Sequence, residues 1–212
     1  MNKTLKKLFC GTLVSALLLG AAPAVSAAHP FTDVPEDAWY ASYVDFAYNL
    51  GAMVGVSDTE FGPDEQMSRA MFAMILYADF GYPEPTIDNP FTDVGDTWYT
   101  DAVTYLYEEG ILAGTSETTF SPEEPITREQ LVALFYKLEL WYVEEIELTG
   151  DLSGYSDQEK ISPYARDAVL WAVSNGIISG TTPTTLSPSE TATRAQCAAM
   201  VQRYAEYCNP VE

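Results

Sequence analysis

Apolar residues along this chain recur in short helical stripes, and the stripes come in pairs, three times over. Trp39, Tyr43, Phe46, Ala47 and Leu50 follow one another at spacings of three and four; Trp98, Ala102, Tyr105 and Leu106 repeat the rhythm, with polar Glu109 closing the series. Such spacing lays one apolar face along a helix. A second stripe follows each first one: Phe72, Ile75 and Leu76, then Leu131, Leu134, Phe135 and Leu138, then Cys197, Met200 and Val201. Between the stripes stand turn signals, not strand-length runs, among them Phe61-Gly62-Pro63, Phe120-Ser121-Pro122 and Leu186-Ser187-Pro188. The pattern predicts an all-α chain of three helix-loop-helix repeats.

Gly51, Gly55, Pro63 and Arg69 return 59 residues later as Gly110, Gly114, Pro122 and Arg128, then 66 residues later as Gly176, Gly180, Pro188 and Arg194. A fixed offset over four landmarks is an internal repeat. Each copy opens with an aromatic-x-Asp element, at Phe31-Thr32-Asp33, Phe91-Thr92-Asp93 and Tyr155-Ser156-Asp157. Asp37, Asp96 and Ser162 align as N-cap residues, which predicts first-helix starts there, with Pro163 in a first turn. Gly51, Gly110 and Gly176 predict left-handed C-cap glycines. Thr127-x-x-Gln130 and Thr193-x-x-Gln196 read as capping boxes that start the second helix, whereas the first repeat has Ser68 and Met71 there. Two helices cannot bury both apolar faces alone, so three hairpins are expected to pack together. The acidic link from Glu139 to Asp151 begins with Leu140-Trp141-Tyr142-Val143, which can prolong the preceding helix, and Glu206 to Glu212 reads as a tail.

The N-terminus carries Lys3, Lys6 and Lys7, then an apolar run from Leu8 to Ala22 and small residues at Val25-Ser26-Ala27. This reads as a secretory signal peptide over 1–27, followed by repeats over 28–85, 86–145 and 146–212, the last with the tail. An exported chain with no second domain is expected. No later stretch approaches the roughly 20 apolar residues of a membrane span, so no membrane insertion is expected after signal cleavage. With 31 acidic against ten basic residues and a formal net charge of −21, nucleic acid is repelled as a partner.

Few cations make their placement informative. Arg69, Arg128 and Arg194 occupy the same motif position, at the start of the second helix. A cation there opposes the helix macrodipole by about 0.3–1 kcal/mol when exposed. Either each arginine pairs with a carboxylate of the aromatic-x-Asp element as a clamp, or it offers its fork to an anionic ligand; one site can serve both. Trp39 and Trp98, with Tyr164 at the equivalent place, suit core packing at this spacing, and aromatic faces at a groove also stack on sugar rings. For catalysis there is little material. The one histidine, His29, stands beside the predicted cleavage site, so no catalytic residue, metal site or cofactor is expected in the folded body. Carboxylate pairs of the glycosidase kind are available by residue type, but acids in this number read first as a solvated face. Cys197 and Cys208 can pair only if the helix between them folds back, since eleven helical residues separate them by about 16 Å.

Phe-x-Asp-Val, then Trp, Ala-Val, Gly-Ile-Ile-x-Gly, Phe-x-Pro and Ile-Thr-Arg-Glu-Gln together resemble the S-layer homology family, in three tandem copies from Phe31 to about Tyr204. The resemblance implies a pseudo-threefold spindle with a central three-helix bundle and three prongs. It also implies non-covalent binding of a bacterial cell-wall polysaccharide, often one with a pyruvate ketal. Carried over, the groove residues are Arg69, Arg128 and Arg194, Asp33, Asp93 and Asp157, Trp39 and Trp98, and the backbone at Gly55, Gly114 and Gly180. The groove containing Arg128 is expected to be the most complete. The anchor could serve as an adaptor for other surface proteins, and the rival reading is a self-associating structural or interaction protein of the surface layer, with the arginines as structural clamps.

Overall fold

A computed structural model describes residues 29–210, so the predicted signal peptide lies outside the described residues. Each repeat contributes two helices: α1 (Ala41–Asn49) and α2 (Arg69–Asp79), α3 (Thr100–Glu108) and α4 (Arg128–Tyr142), α5 (Arg166–Ser174) and α6 (Arg194–Cys208). Short 3₁₀ turns at Gln158–Lys160 and Pro163–Ala165 precede α5. Among the described residues β pairing is confined to isolated bridges. The chain is all-α, as the periodicity predicts.

Second helices start where the motif places them. Thr127 and Thr193 accept from the backbone N–H of Gln130 and Gln196, and both glutamines return the bond, completing two capping boxes. Ser68 caps α2 by accepting from Met71 N–H alone. First helices begin later than predicted. The N-cap positions are Tyr40, Tyr99 and Ala165, without side-chain caps, because a turn intervenes between Asp37 or Asp96 and the helix. In the third repeat Ser162 and Pro163 do start a helical turn, but a 3₁₀ one. Ser162 donates its hydroxyl to Glu129 instead of capping its own turn.

Helix ends follow prediction closely. Gly51, Gly110 and Gly176 have φ of 75°, 72° and 69°. Gly51 N–H bonds the Tyr48 carbonyl and Ala52 N–H the Ala47 carbonyl, the paired bonds of a Schellman motif, and the other two repeats reproduce them. At the C-terminus α6 continues to Cys208, so the expected tail is helical for its first residues. Cys197 and Cys208 therefore lie on one uninterrupted helix and are not joined to each other, since a disulfide between them needs a fold-back that this helix does not make.

The packing is not that of three hairpins. Helix α1 packs on α6, α3 on α2 and α5 on α4, so every first helix rests on the second helix of the preceding repeat, cyclically. At the centre Phe72 of α2 meets Phe135 of α4 edge-on at 5.1 Å, and Phe135 stacks on Tyr204 of α6 at 4.6 Å. Backbone hydrogen bonds close the cycle just before the three helices begin. Met67 N–H donates to the Ala192 carbonyl, Ala192 to Ile126 and Ile126 to Met67, at 2.9, 2.9 and 2.8 Å. These six groups satisfy one another without any continuous strand. The ring fixes the spacing of Arg69, Arg128 and Arg194 around one axis.

Candidate functional site

Each motif arginine points away from its own helix and into the next repeat, which removes the conflict with the helix macrodipole. Arg69 donates from Nε to the Phe120 carbonyl at 2.9 Å and from Nη2 to Ala113 at 3.0 Å. Arg128 bonds Leu186 at 3.0 Å and Ser179 at 2.6 Å, and Arg194 bonds Phe61 at 2.8 Å and Val54 at 2.6 Å. All three side chains are buried, at 9%, 3% and 6% exposure. Burial pulls each guanidinium below its usual pKa, opposed by the field of nearby carboxylates such as Glu124 and Glu190. They remain cations at any pH of interest. Arg69 and Arg194 also lie over the rings of Phe120 and Phe61, each at 4.6 Å, whereas Leu186 takes that place beneath Arg128.

The expected arginine–aspartate pairing takes a different form. Asp93 accepts from Phe120 N–H at 2.8 Å and Ser121 N–H at 2.7 Å, while Arg69 takes the Phe120 carbonyl. One peptide unit is thus held between a carboxylate at its N–H and a guanidinium at its C=O, and its dipole aligns with both charges. Asp33 holds Phe61 and Gly62, and Asp157 holds Leu186 and Ser187, in the same way. Loss of solvent pushes Asp93 and Asp157 up, but backbone donors, with the charge of Arg69 at Asp93 and of Lys160 at Asp157, together outweigh it and hold both carboxyls below their usual range. The captured residues Gly62, Ser121 and Ser187 sit at φ of 70°, 57° and 53°, a conformation the two serines keep at some cost.

Gly55, Gly114 and Gly180 are required by close approach. A Cβ on Gly114 would lie 2.4 Å from the Ser116 carbonyl and 2.6 Å from the Phe91 ring, with similar clashes at Gly55 and Gly180. These glycines let the loop fold over the opening aromatic, and so place the carbonyls at Val54, Ala113 and Ser179 within reach of an arginine.

The aromatics are at the surface. Trp39, Trp98 and Tyr164 are 60%, 61% and 63% exposed, which corrects the core reading. Trp39 borders a groove of about 380 Å³ with Arg128, Ser179, Gly180 and Gln196. Trp98 borders a second groove of about 380 Å³ with Arg194, Val54, Met71 and Met74. Each groove therefore takes its aromatic, its arginine and its loop from three different repeats. Tyr164 and Arg69 form the corresponding pair with the Ala113 loop; the tyrosine hydroxyl rests at 3.5 Å from Glu129 and is pushed up to about 12 by local desolvation and that carboxylate. Asp33, Asp93 and Asp157 act one layer behind, through the backbone they hold.

Sequence reasoning missed the residues contributed by the second helix, Gln196 and Arg203 in the Arg128 groove and Met71 and Met74 in the Arg194 groove. Their signal was the repeat alignment itself, in which Met71, Gln130 and Gln196 share one position. Among the described residues no cluster of His, Cys, Asp or Glu is placed to hold a metal ion, and no helix is long and apolar enough to cross a membrane.

The profile of the S-layer homology domain matches residues 30–73, 90–132 and 154–198. An endoglucanase of Bacillus sp. (strain KSM-635) is 31% identical over 95% of this chain and 22% of its own length. The surface-layer 125 kDa protein of Lysinibacillus sphaericus is 31% identical over 95% of this chain and 17% of its own length. An S-layer protein of Bacillus thuringiensis subsp. finitimus is 26% identical over 93% of this chain and 24% of its own. The chain thus spans less than a quarter of the length of these relatives. It belongs to the S-layer homology domain family.

Proposed function

We propose that this member of the S-layer homology family is an exported, non-catalytic cell-surface module. It binds an anionic cell-wall polysaccharide, in our reading a pyruvylated one, and so attaches itself or a partner to the bacterial envelope. The observation that carries the reading is the Arg128 groove. There a buried guanidinium, three of whose five N–H groups are bonded to Leu186, Gln196 and Ser179, borders one groove with the exposed Trp39, on a chain whose charge otherwise repels anions. An indole face takes the apolar side of a sugar ring and the guanidinium takes a carboxylate on that ring. Relatives named as surface-layer proteins support an envelope location, and relatives named as enzymes, the endoglucanase among them, share less than a quarter of their length with this chain.

The test is co-sedimentation with purified sacculi before and after acid removal of the attached polysaccharide. Binding that disappears with the polysaccharide supports the reading; equal binding to stripped wall rejects it. The clamp reading has its own support in the carbonyl bonds of all three arginines, and the two roles coexist at one side chain.

A further inference from the structure

The Arg128 groove contains a second cation. Arg203, half-buried on α6, donates from Nη1 to the Ser179 hydroxyl and from Nη2 to the Tyr43 hydroxyl, both at 3.3 Å, with its guanidinium 5.3 Å from the Tyr43 ring centre. Both partners are neutral side chains. Arg128 meanwhile holds the carbonyl of the same Ser179, so one loop residue carries two guanidiniums. None of the residues bordering this groove is acidic. Glu190 and Asp157, whose charges act on Arg128, lie outside it, and Arg203 opposes them with its own positive charge.

Two like charges facing one opening raise its energy unless an anion enters. A cation stands at this place in two of the three repeats and is missing from the Arg194 groove. Nine residues after the motif arginine stand Ala78, Lys137 and Arg203, and two residues after it stand Met71, Gln130 and Gln196. The Arg194 groove receives its second-helix residues from α2, with Met71 and Met74 on its wall and alanine where the cation would be. Its other walls include Val54 and Tyr82, both exposed.

We propose that Arg203 is a second ligand-contacting cation that makes the Arg128 groove selective for a sugar unit bearing an anionic substituent, a selectivity the methionine-walled Arg194 groove lacks. This rests on the polysaccharide reading. A ligand carboxylate entering beside Trp39 would accept from Arg128 on one side and Arg203 on the other, replacing the weak hydroxyl contacts Arg203 makes in its absence.

The experiment is calorimetric titration of the exported chain with a pyruvylated hexose glycoside and with its ketal-free parent, for wild type, Arg203→Met and Arg203→Lys. Arg203→Met should weaken the pyruvylated probe by about tenfold or more, the order expected for a lost hydrogen-bonded charge pair. The neutral parent and the melting temperature should change little, and Arg203→Lys should restore part of the loss. Salt should weaken pyruvylated-probe binding less in Arg203→Met than in wild type. The inference is overturned if Arg203→Met binds the pyruvylated probe as wild type does. It is equally overturned if both probes weaken together with a falling melting temperature, the mark of a merely structural arginine. Wild type that binds neither probe nor wall rejects the proposed function itself, and the inference with it.

Discussion

Arg128 holds the Leu186 and Ser179 carbonyls of the next repeat, donates from Nη1 to Gln196 Oε1 at 3.5 Å, and borders the groove with Trp39. Removing it should therefore disturb fold and binding together. Arg128→Ala is expected to cost about 1.5–3 kcal/mol through buried carbonyls left without their charged donor, measurable as a lower denaturation midpoint. Trp39→Ala separates the roles, since an exposed indole contributes little to the core. It should leave the melting temperature nearly unchanged and lower polysaccharide affinity. That contrast was not legible in the sequence. Counting in threes and fours placed Trp39 and Trp98 on the buried face, but the helices begin at Ala41 and Thr100, so both indoles lie in the preceding turn and escape the helical register. The aspartates add a pH dependence. With the folded pKa of Asp93 and Asp157 depressed, their contribution is complete above the unfolded value, about 3.9, and is lost as pH falls through the folded one. A urea series should show wild-type stability declining below about pH 4, and Asp157→Asn should flatten that decline.

The loop between helices depends on backbone approach more than on side-chain chemistry. Gly114→Ala forces a Cβ against the Ser116 carbonyl and the Phe91 ring, and should cost about 1–3 kcal/mol, the order of an overpacked core. Helix caps at Thr127, Thr193, Gly51, Gly110 and Gly176 were readable because each is satisfied by backbone within a few residues. The partner of each arginine was not, because it depends on which loop the cyclic arrangement brings over the helix start. Helix α4 carries a burden of the opposite sign to the aspartates. Glu139 is buried, and its pKa is raised by desolvation, against a Tyr204 hydroxyl that favours the charged form. The cost of ionising it is present above its folded pKa and vanishes below its unfolded one, about 4.3. Glu139→Gln should therefore stabilise the protein at neutral pH, with the gain shrinking as pH falls toward that value.

Across the molecule, three repeats act as one unit because each lends its arginine to the next and rests its first helix on the one before. Met67, Ile126 and Ala192 close that exchange into a ring. Unfolding should accordingly be a single transition with matching calorimetric and van't Hoff enthalpies, and chain lacking α6 should lose the order of α1 as well, seen as reduced amide protection there. The threefold repetition itself was plain from the recurring Gly, Pro and Arg landmarks, while the division of each groove among three repeats required the fold. The measurement that tests the central claim most directly is co-sedimentation of wild type and Trp39→Ala with intact and acid-stripped sacculi. The account predicts that wild type pellets only with intact wall and that Trp39→Ala, folded to the same melting temperature, pellets much less. Wild type that pellets equally with stripped wall, or a Trp39→Ala chain that binds as wild type does, would contradict it.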